Sequence, residues 1–448
     1  MLAARAAWMI KRKLASSEQI LLLAFGRDAA DEMNQRVIKS TGEATITART
    51  FHSLALHIIQ QSSNKQPKIS QLETDAVFRR QMLTEVWQQQ CSEKKSFANG
   101  WRQWLQEELQ WELSSDAFWQ DEKLLTQISG RLERWVSLMR NHGGAQAAMI
   151  DQAPEEIRVL FGKRIRLLAP LLKAWKSHLK QEAALDFSGL IQQAVALLEK
   201  GRFISPWKYI LVDEFQDISA QRSSLIKALR DQNKRCGLFA VGDDWQSIYR
   251  FAGAEINLTT RFHQQFGEGD ICVLDTTYRF NQQIGLIAGR FIQQNPLQMK
   301  KSLNSPVKGN KKSVSLLPED QLEALLNKMS GYVKDDETVL ILARYHYLKP
   351  PVLAKAATRW PKLSINFMTM HASKGQEADY VIVIGLNEGN SGFPAVARES
   401  VIEQGLLPEP EDYPDAEERR LAYGAMTRAK QQLWLLYDKD AHSCVVEN

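Results

Sequence analysis

Asp213 and Glu214 close an apolar run, Tyr209-Ile210-Leu211-Val212, and are followed by Phe215-Gln216-Asp217. Open α/β sheets hold their ligands at the carboxyl ends of parallel strands, and two adjacent carboxylates stand at that place here. The first acid could hold Mg2+ through water and the second could take a proton from an attacking water. A helix N-cap uses the same residue types, so the pair alone leaves both readings open. A second apolar run, Gly237 to Val241, ends in Gly242-Asp243-Asp244-Trp245-Gln246-Ser247-Ile248-Tyr249-Arg250-Phe251. It delivers an amide, Gln246, able to sense a γ-phosphate, and then two aromatics, Tyr249 and Phe251, able to stack on bases. A nucleotide hydrolase also needs a glycine-rich phosphate loop with its lysine. No G-x-x-x-x-G-K-[ST] occurs in the 448 residues; Gly162-Lys163 lacks the upstream glycine and runs into Arg164.

Such groups require strands that alternate with helices. Residues 2 to about 14 have helical spacing, Gln19 to Phe25 reads as a buried strand, Asp28 to Ile38 returns to helix, and Thr45 to Ala48 is a short strand. Strands recur at Tyr209–Val212, Gly237–Val241 and Ile271–Leu274, and a helix runs from Arg279 to about Gln294. A basic, turn-rich stretch, Lys300 to Lys312, reads as a solvated loop. A second set of strands follows: Val314–Leu317, Thr338–Ala343, Ile365–Met368, Tyr380–Ile384 and Leu433–Tyr437. The pattern predicts an α/β fold with two successive parallel-sheet halves. Residues 69 to 184 have no strand runs and hold Trp87, Trp101, Trp104, Trp111, Trp119, Trp135 and Trp175. This segment reads as a helical insertion. Tryptophans at helical spacing serve a core, or alternatively a base-stacking surface.

The chain has 57 Lys+Arg against 52 Asp+Glu, a mild lean toward polyanions. Its four cysteines (Cys91, Cys236, Cys272, Cys444) include no C-x-x-C pair and read as reduced thiols of a cytoplasmic protein. No apolar run reaches membrane-spanning length, and Met1 to Leu14 is basic and amphipathic without the apolar core of a secretory signal.

These residues resemble the UvrD/Rep group of superfamily 1 DNA helicases, through motifs in family order along nearly the whole chain. Phe25-Gly26-Arg27-Asp28-Ala29-Ala30-Asp31-Glu32-Met33 is similar to the first strand-contact motif, with Phe25 at a DNA-stacking position. Thr50-Phe51-His52-Ser53 is similar to the motif that contacts the DNA backbone. Asp213 to Asp217 matches the Walker B motif, and Gly242 to Ala254 the third. Thr277-Tyr278-Arg279 matches the fourth, whose tyrosine packs on adenine and whose arginine reaches the γ-phosphate. Thr369-Met370-His371-Ala372-Ser373-Lys374-Gly375-Gln376-Glu377 matches the fifth, whose glutamate contacts the ribose. Glu417-Glu418-Arg419-Arg420-Leu421 through Thr427-Arg428-Ala429 matches the sixth, with Arg428 as second arginine finger.

The resemblance implies two RecA-like domains. Residues 1–68 and 185–275 would form the first, with 69–184 inserted. Residues 276–448 would form the second, since Arg279 to Thr369 is too short for the large helical insertion of full-size relatives. It implies ATP and Mg2+ as cofactors, with Asp213 holding the metal. ATP would lie between the halves, with Arg279 and Arg428 stabilising transition-state charge. It implies single-stranded and duplex DNA as partners, 3′ to 5′ unwinding, DNA repair as setting, and Phe25, Thr50, His52, Tyr249, Phe251 and His371 along the strand. In the family the phosphate loop directly precedes a helix like Leu2–Trp8. The resemblance therefore implies a chain cut just after that loop, inactive in ATP hydrolysis, with an unpaired gap in its first sheet. Two alternatives stand beside this reading: a non-catalytic DNA-binding remnant, and an RNA-polymerase-associated protein reaching through residues 69–184. Glu417 to Arg420 and the two histidines also have plain readings, as a charged helix face and as polar strand-end residues.

Overall fold

The computed structural model describes residues 1–42, 48–63, 66–113, 115–310, 312–389, 392–395 and 399–440. Its strands, in chain order, are β1 (Ile20–Ala24), β2 (Ala48–Thr50), β3 (Lys68–Ile69), β4 (Ala184–Leu185), β5 (Tyr209–Val212), β6 (Gly237–Ala240), β7 (Val314–Pro318), β8 (Thr338–Ala343), β9 (Ser364–Thr369), β10 (Ala378–Leu386) and β11 (Ala429–Tyr437). Backbone contacts divide the chain into two compact units. One is Met1–Gly242 with Phe251–Leu258 and Glu399–Glu409; the other is Asp243–Arg250 with Thr259–Arg398 and Pro410–Asn448. The sequence reading put the boundary at 275/276; here residues 243–250 and 259–275 group with the second unit, and 399–409 with the first.

In the first unit β2, β1, β5 and β6 form one parallel sheet in that order. Apolar Ile20–Ala24 is buried at every position, as a strand covered on both faces must be. The expected gap inside this sheet is not seen: the four strands are hydrogen-bonded without a break. Among the described residues β6 pairs with β5 alone, and all four of its residues are only half-buried. The strand expected at Ile271–Leu274 does not form either. Its four residues are exposed and belong to no ladder. An apolar run becomes a strand only when a neighbour takes its amides and carbonyls. Of the strand expected at Thr45–Ala48, residues 45–47 lie outside the described residues; β2 takes up Ala48.

The helical segment is bracketed by a two-residue parallel ladder, Lys68 with Ala184 and Ile69 with Leu185. Between them stand the helices Ala76–Glu93, Lys95–Gln103, Glu122–His142, Gln146–Gln152 and Arg158–Glu182. Trp87, Trp101, Trp104, Trp135 and Trp175 lie in its core, and Trp111 and Trp119 border it. Trp104 stacks on Trp101 and Trp135 with centroids 4.7 and 4.5 Å apart, so these rings are interior and not a base-stacking surface. A short helix far along the chain, Val401–Leu406, completes the core with Ile402. Trp135 Nε1 donates to Ser400 Oγ (3.0 Å) and Arg134 pairs with Glu403. Asp186 then caps the helix Phe187–Glu199, accepting from Gly189 N (2.7 Å) and also from Arg140 (2.7 Å) and Trp175 Nε1 (2.8 Å).

The second unit is built on a five-stranded parallel sheet, β7-β11-β10-β8-β9. Alternation decides which face each residue serves. Val381 and Val383 of β10, Leu433 and Leu435 of β11, and Leu340 and Leu342 of β8 meet the helices Gln282–Ile292 and Ala416–Met426. Ile382, Ile384, Leu436 and Ile341 face the opposite core with Leu322–Met329 and Trp360.

Candidate nucleotide and nucleic-acid sites

In the first unit, Asp213 N donates to Leu23 O (2.9 Å), so the acid stands one residue past β5 on the same ladder. Glu214 takes a left-handed backbone (φ 46, ψ 41), uncommon for a non-glycine residue, and turns the chain into the 3-10 helix Phe215–Asp217. Gln216 is buried, and its Nε2 donates to Glu214 Oε2 (2.6 Å), fixing the exposed carboxylate. Gly242 makes this turn possible, since a Cβ there would lie 2.7 Å from Gln216 Oε1 and 3.0 Å from Gln216 N. The Asp213 carboxyl is pushed above its usual range by burial first and by the Glu214 charge next. A divalent cation would offset both causes, so the pair suits a hard metal. Among the described residues no group of three or more His, Cys, Asp or Glu converges to hold a metal alone. Mg2+ keeps waters and takes phosphate oxygens, so a single carboxylate, Asp213, is a fitting protein share, with Glu214 left for the water.

Further along the same sheet edge, Phe25 meets Phe51 edge-on with centroids 5.5 Å apart. Arg222 lies over both rings, 4.7 Å from Phe25 and 5.7 Å from Phe51. His52 stacks on Phe187 at 4.5 Å. Its pKa falls to about 4, because burial and then the Arg222 charge disfavour the imidazolium. Thr50 Oγ1 accepts from Ser53 N (3.2 Å) and starts the helix Phe51–Ser63. Phe251, also in this unit, is well exposed.

In the second unit the Gln246 side chain is held at both ends. Its Nε2 donates to Asp243 Oδ2 (2.6 Å), and Arg428 Nη2 donates to its Oε1 (3.1 Å). Arg428 is only 2% exposed and also donates to Gly424 O (2.8 Å) and Gln376 O (3.3 Å). Lys374 Nζ donates to the Gln246 carbonyl (3.1 Å). Arg279 pairs with Glu377 (2.7 Å), a residue expected at a different part of a nucleotide, and Lys430 reaches the other Glu377 oxygen (3.7 Å). Tyr423 is buried among Asp243, Asp244, Arg279 and Arg428; burial first, and then Asp243, pushes its hydroxyl pKa well up. Tyr278 is 82% exposed, leaving its ring face open. Tyr249 lies 6.4 Å from His371 and under Lys374 at 4.8 Å. The His371 pKa is also lowered to about 4, by burial and then by Arg344.

Two expectations change here. Lys301, placed in a solvated loop, is 13% exposed and bonded to both Asp243 and Asp244. It also lies 5.1 Å from the Trp245 ring, while Trp245 Nε1 donates to Met299 O (2.9 Å). Four carboxylate oxygens close together demand a cation, and the nearby loop supplies it. Glu417 to Arg420 is not a plain charged face. Arg420 is buried, donates to Ser247 O (2.6 Å) and pairs with Glu411 (2.6 Å), while Glu417 Oε1 accepts from Arg250 N (2.8 Å). The sequence reading missed Arg222, Phe187, Lys301 and Tyr423. Only Lys301 carried a signal, being a cation opposite the acidic Asp243-Asp244 pair.

Two parallel sheets, one with an acid pair past a central strand and one with a buried arginine at a glutamine, make this a mixed α/β protein of the RecA-like helicase class. Residues 1–267 match the UvrD/REP helicase N-terminal domain, and residues 352–440 the UvrD-like helicase C-terminal domain. The chain belongs to the UvrD/Rep helicase family. It is 64% identical to DNA helicase IV of Escherichia coli over 446 residues, covering 100% of this chain and 65% of that protein. It is 26% identical to a probable DNA helicase of Mycoplasma pneumoniae over 97% of this chain and 77% of that protein. It is 27% identical to the ATP-dependent DNA helicase Rep of E. coli over 64% of this chain and 38% of that protein. The chain thus spans about 65% of the length of the helicase IV relative.

Proposed function

We propose that the chain is the motor region of an ATP-dependent DNA helicase that moves 3′ to 5′ on single-stranded DNA in the cytoplasm. The observation that carries this reading is the Gln246 amide held between Asp243 and Arg428, the arginine lying 182 positions along the chain from Gln246 yet 3.1 Å from its oxygen. A phosphate-sensing amide tied to a buried arginine can pass a change in charge at one to the other. Bound Mg2+ would supply charge neutralisation of phosphate oxygens beside Asp213. Glu214, oriented by Gln216, accepts a proton from water. Arg279 and Arg428 stabilise charge on the transferred phosphoryl, Tyr278 offers its open ring to adenine, and Glu377 takes the ribose. Phe25, Thr50, His52, Tyr249, Phe251 and His371 line the strand, with neutral imidazoles for stacking and hydrogen bonding.

The 448 residues hold no glycine-rich phosphate loop, so a polypeptide of these residues alone binds DNA without turning over ATP. Phosphate release is measured on the purified 448-residue chain with and without an oligo-dT strand. No stimulated turnover is expected; turnover abolished by Glu214→Gln overturns this part of the reading. Phe25→Ala weakens oligo-dT binding by about 1–3 kcal/mol, the worth of a base–aromatic stack. Unchanged affinity on anisotropy titration would remove Phe25 from the strand path.

A further inference from the structure

The helix Val401–Leu406 is too short to stand alone, and it is folded into the tryptophan core of the helical segment. Ile402 is fully buried there, and Val401 and Leu406 pack against the same core. Gly405 leaves no room for a Cβ beside the buried ring of Phe161. Ser400 caps the helix and accepts from Trp135 Nε1 (3.0 Å), and Glu403 pairs with Arg134. A strap held by packing, cap and ion pair together has one depth and one direction. Both stretches of chain that leave this strap are tied to a single helix of the second unit, Ala416–Met426. Upstream, Ala395 N donates to Glu418 Oε2 (3.1 Å). Downstream, Glu411 pairs with the buried Arg420 (2.6 Å), and Arg419 lies 5.4 Å from the Tyr413 ring.

Between the buried Leu407 and Glu411 stand only Pro408, Glu409 and Pro410. Four residue steps span at most about 14 Å, and proline at alternate positions fixes φ and stiffens the piece toward an extended rod. A short stiff link between two anchored points passes a displacement on, where a flexible linker would absorb it. We propose that residues 399–411 form a tether that carries movement of the helical segment to the Ala416–Met426 helix. That helix bears Arg420 and runs directly into Arg428, whose Nη2 holds the Gln246 amide oxygen (3.1 Å). Coupling of this kind is reciprocal, so loosening the helix frees the strap as loosening the strap frees the helix. The tether exists whether or not the chain meets ATP. Its use rests on the proposed function, in which a load on the helical segment biases the phosphate-sensing pair.

The test reads amide hydrogen exchange by mass spectrometry on the full 448-residue chain, in peptides covering 399–409, 416–426 and, as reference, β10. Two variants unseat the strap. Ile402→Asp puts a charge into the tryptophan core, and the milder Ser400→Ala/Glu403→Ala removes the cap and both side-chain ties. Each is also made in a slackened chain, with a flexible Gly/Ser insert after Ala395 and another after Pro408. In the ordinary chain both variants should raise exchange in 399–409 and, by about five- to tenfold, in 416–426, with β10 unchanged. In the slackened chain the rise should stop at 399–409. A rise confined to 399–409 in the ordinary chain overturns the tether. So does an equal rise at 416–426 with the inserts present, or a rise that includes β10, since either is general loosening. No rise at 399–409 in either variant overturns the seat and the tether with it. Oligo-dT binding is read on the same ordinary chain. Its absence sinks the proposed function, while exchange that follows the expected pattern still upholds the tether.

Discussion

His52 and His371 both titrate near 4, well below the ordinary imidazole value of 6.5. Between those values the unfolded chain binds more protons than the folded one. Stability therefore falls as pH drops from about 6.5 toward 4 and is fully present above 6.5. His52→Gln keeps a neutral polar side chain, so the difference in urea midpoint between parent and variant should narrow or reverse through this window. A difference that stays constant with pH would mean that His52 charges freely in the folded state. Lys301 makes a different prediction. Burial alone would lower its pKa, but Asp243 and Asp244 more than reverse this. Lys301→Met strands two carboxylates, one of them fully buried, and should destabilise the second unit by about 3–5 kcal/mol in urea melts. Residues inside contiguous motifs were legible because their spacing is local. Phe187 against His52, Arg222 over Phe25 and Lys301 on Asp243 were not, since each partner arrives from a distant part of the chain.

At the level of elements, most strands could be read from apolar runs, and β5 and β8 fall where those runs predict. Ile271–Leu274 shows what such runs omit. The residues favour a strand, yet extended backbone without a ladder neighbour stays exposed. The Phe187–Glu199 helix depends on Asp186, which is buried, and whose pKa lies below the usual range. Burial pulls that value up, and the Arg140 hydrogen bonds and charge outweigh it. Its contribution is present at neutral pH and is lost as pH falls through the folded value. Asp186→Ala removes the cap and leaves Arg140 and Trp175 without their acceptor, so a loss of about 3–5 kcal/mol is expected by chemical denaturation. Gly242→Ala probes the acid turn. A methyl group has no room beside Gln216, so a loss of about 1–3 kcal/mol is expected, measured by thermal melt.

Across the whole molecule each unit has its own cores: the tryptophan cluster and the Ile20–Ala24 cluster in one, the two faces of the five-stranded sheet in the other. Separate cores unfold separately, so equilibrium denaturation should need more than two states. Asp186→Ala should move one transition and Lys301→Met the other; a single transition moved by both would show one cooperative block. The place of Val401–Leu406 in the tryptophan core has a topological consequence. The chain crosses between units five times, at 242/243, 250/251, 258/259, 398/399 and 409/410. No single nick can free either unit whole, and no uninterrupted stretch of the gene encodes one without the other. A fragment ending at Leu258 would leave the seat of Ile402 beside Phe161 and Trp135 empty, a hole that only sequence from the far end of the chain can fill.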